Sequence, residues 1–185
     1  MIVKEILDFL RRNASDDDMA QWQRSIKTHN RAYGVKLTKI NPHIAAWAKR
    51  VDINDLHALW KDSMVESRLI AAKLLGRLGK KHPEEAIKLI EEFSQTLKDW
   101  PTTDTLATQS VRPLLKIAAL KKRILYLARA SLLASDRWRR RFGVVLFINF
   151  TESVEARRVA QRFLNDEDYY VRKAAEWLRR KTDVS

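Results

Sequence analysis

The stretch SMVESRLIAAKLLGRLGKKHPEEAIKLIEEF, residues 63–93, decides the fold class. Leu69, Ala72, Leu75 and Leu78 recur every third residue, so the spacing predicts an amphipathic helix over Ser63–Leu78. Gly79 ends it. Pro83 suits the first position of a second helix, in which Ala86, Leu89, Ile90 and Phe93 again share a face. A short polar link joins the two, so they fold back antiparallel.

The same period extends in both directions. Towards the amino end, Ile2, Ile6, Phe9 and Leu10 mark one helix. Ser15 or Asp16 can cap a second, which runs from Met19 to Thr28. Tyr33-Gly34-Val35 reads as a turn. Pro42 opens a helix through Arg50, and Asp52 or Asn54 caps a segment carrying Leu56, Leu59 and Trp60. Towards the carboxyl end, Asp104–Leu120 reads as one helix bent at Pro113, followed by Arg123–Leu133. Ser135 or Asp136 caps a helix through Phe150. Glu152–Phe163 follows, and Asp166 or Asp168 opens the last, through Arg180. No segment alternates as a strand. Antiparallel pairs of about 35–40 residues predict an all-α chain, an α-solenoid of HEAT-like helix pairs with a concave basic groove.

The 185 residues predict one domain spanning 1–185. There are no cysteines, which excludes a disulfide framework, a thiolate zinc site and a Cys nucleophile. Gly and Pro number four each, too few breakers for an all-β fold. No glycine-rich phosphate loop occurs. The longest uncharged apolar run, Phe142–Phe150, is far short of a membrane span, and charges stud the amino terminus. A cytoplasmic protein is expected.

Net charge is +13, and it is uneven. Residues 1–110 carry +3, whereas residues 111–185 carry +10. A one-sided excess of this size predicts a polyanionic partner, nucleic acid before an anionic membrane surface. An inert solvated basic surface has the same composition.

Three clusters could carry chemistry. In Leu97-Lys-Asp-Trp-Pro-Thr-Thr-Asp104, Pro101 suits the first helical position, which makes Trp100 the cap and sets Asp104 in the first turn. Four residues apart, the two share an edge, and a helix amino terminus favours a carboxylate. A helix-start staple with a surface acid fits the same residues. In Arg137-Trp-Arg-Arg-Arg-Phe142, Trp138 and Arg141 share a face, while Arg139 and Arg140 point elsewhere. Aromatics among arginines suit phosphates and stacked planar groups; a solvated arginine face with one core Trp fits as well. In Tyr169–Lys181, the residues Lys173, Trp177 and Arg180 make one basic stripe. Val171, Ala174, Ala175 and Leu178 supply the core face, so Trp177 is open to ligand contact or to packing. The four histidines (His29, His43, His57, His82) show no metal-ligand pairing.

These clusters, in this order, resemble the DNA alkylation repair family of HEAT-like alkylpurine DNA glycosylases. Tyr33-Gly-Val35, Leu59-Trp60 and Glu66-Ser-Arg-Leu-Ile-Ala-Ala72 add to the likeness, which spans nearly the whole chain. The resemblance implies hydrolysis of the N-glycosidic bond of N3- or N7-alkylated purines in duplex DNA. It sets Trp100, Asp104 and Trp177 as catalytic residues, and Arg141, Arg180, Lys173, Trp138 and Arg140 as DNA contacts. Asp104 would stabilise an oxocarbenium-like sugar and position a water. Trp100 and Trp177 would offer π-faces to the cationic nucleotide. Arg141 would hold a phosphate and keep Asp104 ionised. The resemblance implies a monomer with no metal and no cofactor. The chain departs from the family pattern at Pro101, Ile26 and Phe142. A non-catalytic nucleic-acid-binding module and a protein scaffold are the competing readings.

Overall fold

Helices form where apolar spacing and polar caps agree. The computed structural model describes residues 1–26 and 31–184. Helix α1 (Ile2–Arg12) buries Ile2, Ile6 and Leu10 and stops at Asn13. Helix α2 (Asp16–Ile26) begins where the Asp18 N–H donates to the Ser15 hydroxyl. Its expected end at Thr28, and His29 with it, lie outside the described residues. Gly34 has φ of +82°, and a Cβ there would meet the Ser15 carbonyl at 2.4 Å, so this turn admits glycine alone.

The next helix starts earlier than Pro42. Helix α3 (Leu37–Ile40) passes through a 3-10 turn at Asn41–His43 into α4 (Ile44–Trp47). Pro42 has no N–H to give to an α-turn, so it sits in the 3-10 link. Helix α5 (Ile53–Lys61) is closed by a capping box between Asp52 and Asp55.

Helix α6 (Val65–Leu78) is buried on nearly every side rather than amphipathic. Its apparent polar face is satisfied inside the protein. The Glu66 carboxylate accepts the backbone N–H groups of Tyr33, Gly34 and Val35 at 2.9–3.0 Å. Ser67 donates to Asp62, and Arg68 donates to the Trp60 carbonyl. Helix α7 (Pro83–Ser94) starts on Pro83 as expected. Helix α8 (Trp100–Thr105) continues as a π-turn at Leu106–Ser110 and a 3-10 turn at Leu114–Lys116. The single helix expected to Leu120 therefore breaks at Pro113, where an amide donor is missing. Helix α9 (Ala118–Leu132) then begins earlier than Arg123. Asp136 caps α10 (Arg137–Leu146), which tightens into a 3-10 turn at Phe147–Phe150. Ser153 caps α11 (Val154–Phe163), and Asp168 caps α12 (Tyr169–Thr182).

The helices stack in two rows. In one, α4, α6, α8, α10 and α12 touch in chain order. In the other, α5, α7, α9 and α11 back them, and side chains join the row. Trp60 of α5 stacks on Phe93 of α7 with centroids 4.2 Å apart. Arg123 of α9 forks onto Glu91 of α7, and Arg129 of α9 forks onto Glu155 of α11. No strand occurs among the described residues. The protein is an all-α solenoid. Among the described residues, no helix is long and apolar enough to cross a membrane.

Candidate active site

Asp99 shapes the start of α8. Its carboxylate accepts the Thr102 N–H at 2.8 Å, and its carbonyl accepts the Thr103 hydroxyl at 2.6 Å. Asp99, not Trp100, is the cap, because a short acceptor side chain reaches the free amides and an indole cannot. Pro101 moves to the second helical position, and Asp104 lies beyond the first turn. The helix terminus is therefore not what holds Asp104 as an anion.

A side chain does that instead. Arg141 of α10 forks onto Asp104, with Nε on Oδ1 at 2.8 Å and Nη2 on Oδ2 at 2.7 Å. Its Nη1 donates to the Tyr170 carbonyl at the start of α12. One guanidinium thus joins three helices of the same row. The Arg141 side chain is 7% exposed and that of Asp104 is 18% exposed. Burial pushes the Asp104 carboxyl above the usual carboxylate range, Arg141 pulls it back, and Asp99 adds to the upward push. Both oxygens accept N–H groups, an arrangement that fits the carboxylate and not the acid. Each oxygen keeps a further lone pair, so the exposed edge of Asp104 can still accept from water.

Two aromatic residues tie this junction to α2. The Trp100 indole N–H, one turn before Asp104, donates to the Ser25 carbonyl at 3.2 Å. The Tyr170 hydroxyl donates to the Ile26 carbonyl at 2.7 Å. The end of α2 therefore fixes the start of α8 and the start of α12 together. Ile26, one of the departures from the family pattern, is fully buried, as is Phe142. Tyr170 and Trp177 are seven residues apart on one face of α12, and Trp177 is half-buried against the core.

The other expected contacts are distributed differently. Trp138 is 5% exposed and packs on Tyr170, with centroids 4.9 Å apart. Arg140 forks onto Asp166 and also reaches Glu167 and the Ser135 carbonyl. Trp138 pins α10 to the start of α12, and Arg140 pins it to the segment before that helix. Arg141 is occupied by Asp104 and Tyr170 rather than presented on the surface. Lys173 is exposed and pairs with Glu176 at 2.8 Å, and Arg180 is exposed in the last turn of α12. Sequence reasoning passed over Asp99 and Tyr170. Asp99-Trp-Pro-Thr carries a cap signal once Asp is preferred over Trp. Tyr170, Ala174 and Trp177 make a stripe that the basic pattern of the same helix obscures. Among the described residues, no three His, Asp or Glu side chains come together as metal ligands.

No curated protein matches the chain. The family model for DNA alkylation repair enzyme matches residues 6–182, nearly the whole length. With its all-α solenoid and an acid–arginine junction at the heart of one row, this chain belongs to the DNA alkylation repair enzyme family.

Proposed function

We propose that the protein is a DNA glycosylase that releases N3- or N7-alkylated purines from duplex DNA, with Asp104 as its catalytic carboxylate. The observation that carries this reading is the Asp104–Arg141 fork, a largely buried anion held at the junction of α8, α10 and α12. An alkylated purine nucleotide is cationic and leaves as a neutral base, so no acid need protonate it. The C1′–N bond breaks, positive charge develops on the sugar, and a water oxygen forms the new bond to C1′. The water proton departs to solvent. Asp104 opposes the developing charge and accepts a hydrogen bond from that water. The chemistry calls for neither metal nor cofactor.

The remaining residues take supporting places in this proposal. Trp100, fixed through its N–H to Ser25, presents a ring one turn from Asp104. Trp177 offers a second π-face from α12, and cation–π attraction suits both to a cationic nucleotide. Arg141 positions Asp104 and keeps it ionised. Arg180 and Lys173 contact DNA phosphates from the exposed side of α12, while Trp138 and Arg140 act through packing. The HEAT-like array works as one domain over 1–185, as a monomer in the cytoplasm.

A second reading, a nucleic-acid-binding module without catalysis, draws on the same fork, because a bidentate arginine offsets the charge that Asp104 presents. Incubation of methylated duplex DNA with the protein, followed by chromatography of free bases, separates the two. Release of 7-methylguanine or 3-methyladenine supports the glycosylase. Tight binding with no release above the uncatalysed background supports the module.

A further inference from the structure

Where α6 and α8 begin, the protein holds a cleft of about 230 Å³. Arg31, Lys61, Arg68 and Lys98 line it, together with Asp62 and Asp99. Arg68 is 8% exposed. Its Nε donates to the Trp60 carbonyl, and its Cζ lies 4.8 Å from the centroid of the Trp60 ring. A guanidinium has five N–H donors, and Nε supplies one of them. Among the described residues, no hydrogen bond or ion pair engages the Nη groups. Arg141, equally buried at 6% exposed, spends Nε and both Nη groups on protein acceptors. Burial weakens the hold of Arg68 on its proton, and the nearby Asp99 charge opposes that. A buried cation with unspent donors costs stability unless something accepts from it.

The two acids of the cleft are committed elsewhere. Asp62 accepts the Tyr33 hydroxyl at 3.0 Å and the Ser67 hydroxyl at 2.6 Å through one oxygen. Asp99 accepts the Thr102 N–H as the cap of α8. Arg31 and Lys61 are exposed and form no ion pair among the described residues. Four cations against two acids leave the lining with two positive charges in excess. The start of α6 adds to that sign, because no side chain caps it and its amide end is positive.

We infer that this cleft binds a small phosphate, either the free ion or a phosphate monoester, with Arg68 as its anchor. A phosphate monoester carries a charge of about −1.5 to −2 near neutral pH, which matches the excess of the lining. Its oxygens accept paired N–H groups of a guanidinium, the donors that Arg68 has left over. The volume admits a phosphate with a short organic group and excludes a duplex. Asp99 both lines the cleft and caps α8, so the occupant stands beside the start of the helix that carries Trp100 and Asp104. The inference does not depend on the repair reading.

The test is calorimetric titration of the protein with inorganic phosphate at about 0.15 M salt, where exposed charges are screened. One saturable site with Kd of about 1 mM or tighter is expected. Arg68→Gln should weaken it roughly tenfold or more, since hydrogen bonds between charged groups are lost. Should that variant fail to fold, Arg31→Gln with Lys61→Gln, both exposed, carries the same expectation. Lys49→Gln with Lys88→Gln, exposed and outside the cleft, should bind as the parent does. Absence of saturable binding overturns the inference, and so does an equal loss in the cleft and control variants. Repeating the titration with glycerol 3-phosphate identifies the source: tighter binding assigns the monoester, and equal or weaker binding assigns the free ion, both within the inference. Displacement of bound phosphate by an undamaged duplex, one for one, overturns it, because the cleft would then belong to a nucleic-acid surface. No step uses base release, so a failure of the glycosylase reading leaves this result standing, and a failure here leaves that reading untouched.

Discussion

Replacing Arg141 with Gln tests what holds the candidate site together. The change removes the fork on Asp104 and the contact to the Tyr170 carbonyl. Removing one member of a buried ion pair typically costs about 3–5 kcal/mol, because the other charge stays buried without its partner. Gln can still donate one charge-assisted hydrogen bond to Asp104, which restores part of that. A net loss of about 2–3 kcal/mol is expected. At about 2–4 °C per kcal/mol for a chain of this size, Tm should fall by roughly 4–12 °C. A double-mutant cycle with Asp104→Asn isolates the pair, and urea unfolding of the four proteins should give a coupling near 2 kcal/mol. The same variant should raise the Asp104 carboxyl further, since burial remains and the opposing cation is gone. A coupling below about 0.5 kcal/mol, the ordinary error of additivity, would refute the claim that the fork joins α8 to α10.

Three further outcomes are expected. The rate of base release should fall on the acid side through a pKa above the usual carboxylate range, because the reactive form is the carboxylate and burial raises its pKa. This limb should separate from acid unfolding. A raised folded pKa favours the protonated folded state, so acidification does not cost stability through Asp104, whereas Glu155, held low by Arg129, is protonated only at more acidic pH. Circular dichroism across the limb checks that the fold persists. Gly76→Ala should destabilise by about 1–3 kcal/mol, since its Cβ would lie 2.5 Å from the Gln109 carbonyl of the π-turn; thermal unfolding reads this. Glu66→Gln should cost about 2–3 kcal/mol and speed amide exchange at Tyr33, Gly34 and Val35, because one carboxylate serves all three amides.

The helices were legible because apolar spacing and caps are local. Asp52, Ser153, Asp136 and Asp168 each stand one residue before the helix they cap. Errors arose where tertiary packing overrode the local pattern. Helix α6 reads as amphipathic because Glu66, Ser67 and Arg68 are polar, yet their partners (Gly34, Asp62 and Trp60 among them) come from other segments that no period reveals. The π-turn after Asp104 has no residue signature; the close approach of Gly76 and the Ser110 hydroxyl bond to the Ala72 carbonyl sustain it. At the site, the residues of the Asp104–Arg141 pair stood out from their resemblance to a family pattern. Their mutual contact, across 37 positions of chain, did not. Trp138 and Arg140 sat in the same arginine-rich run as Arg141, and composition could not tell which side chains pack and which face outwards.

The account stands most directly on the rate of base release by Asp104→Asn, measured in single turnover on methylated duplex DNA at protein concentrations that saturate binding. Loss of one preorganised charge of this kind typically costs about 10²–10³ in rate. The account expects a fall of that order, with duplex affinity retained within a few-fold. Release at the parental rate, by a variant that binds and folds like the parent, would contradict it.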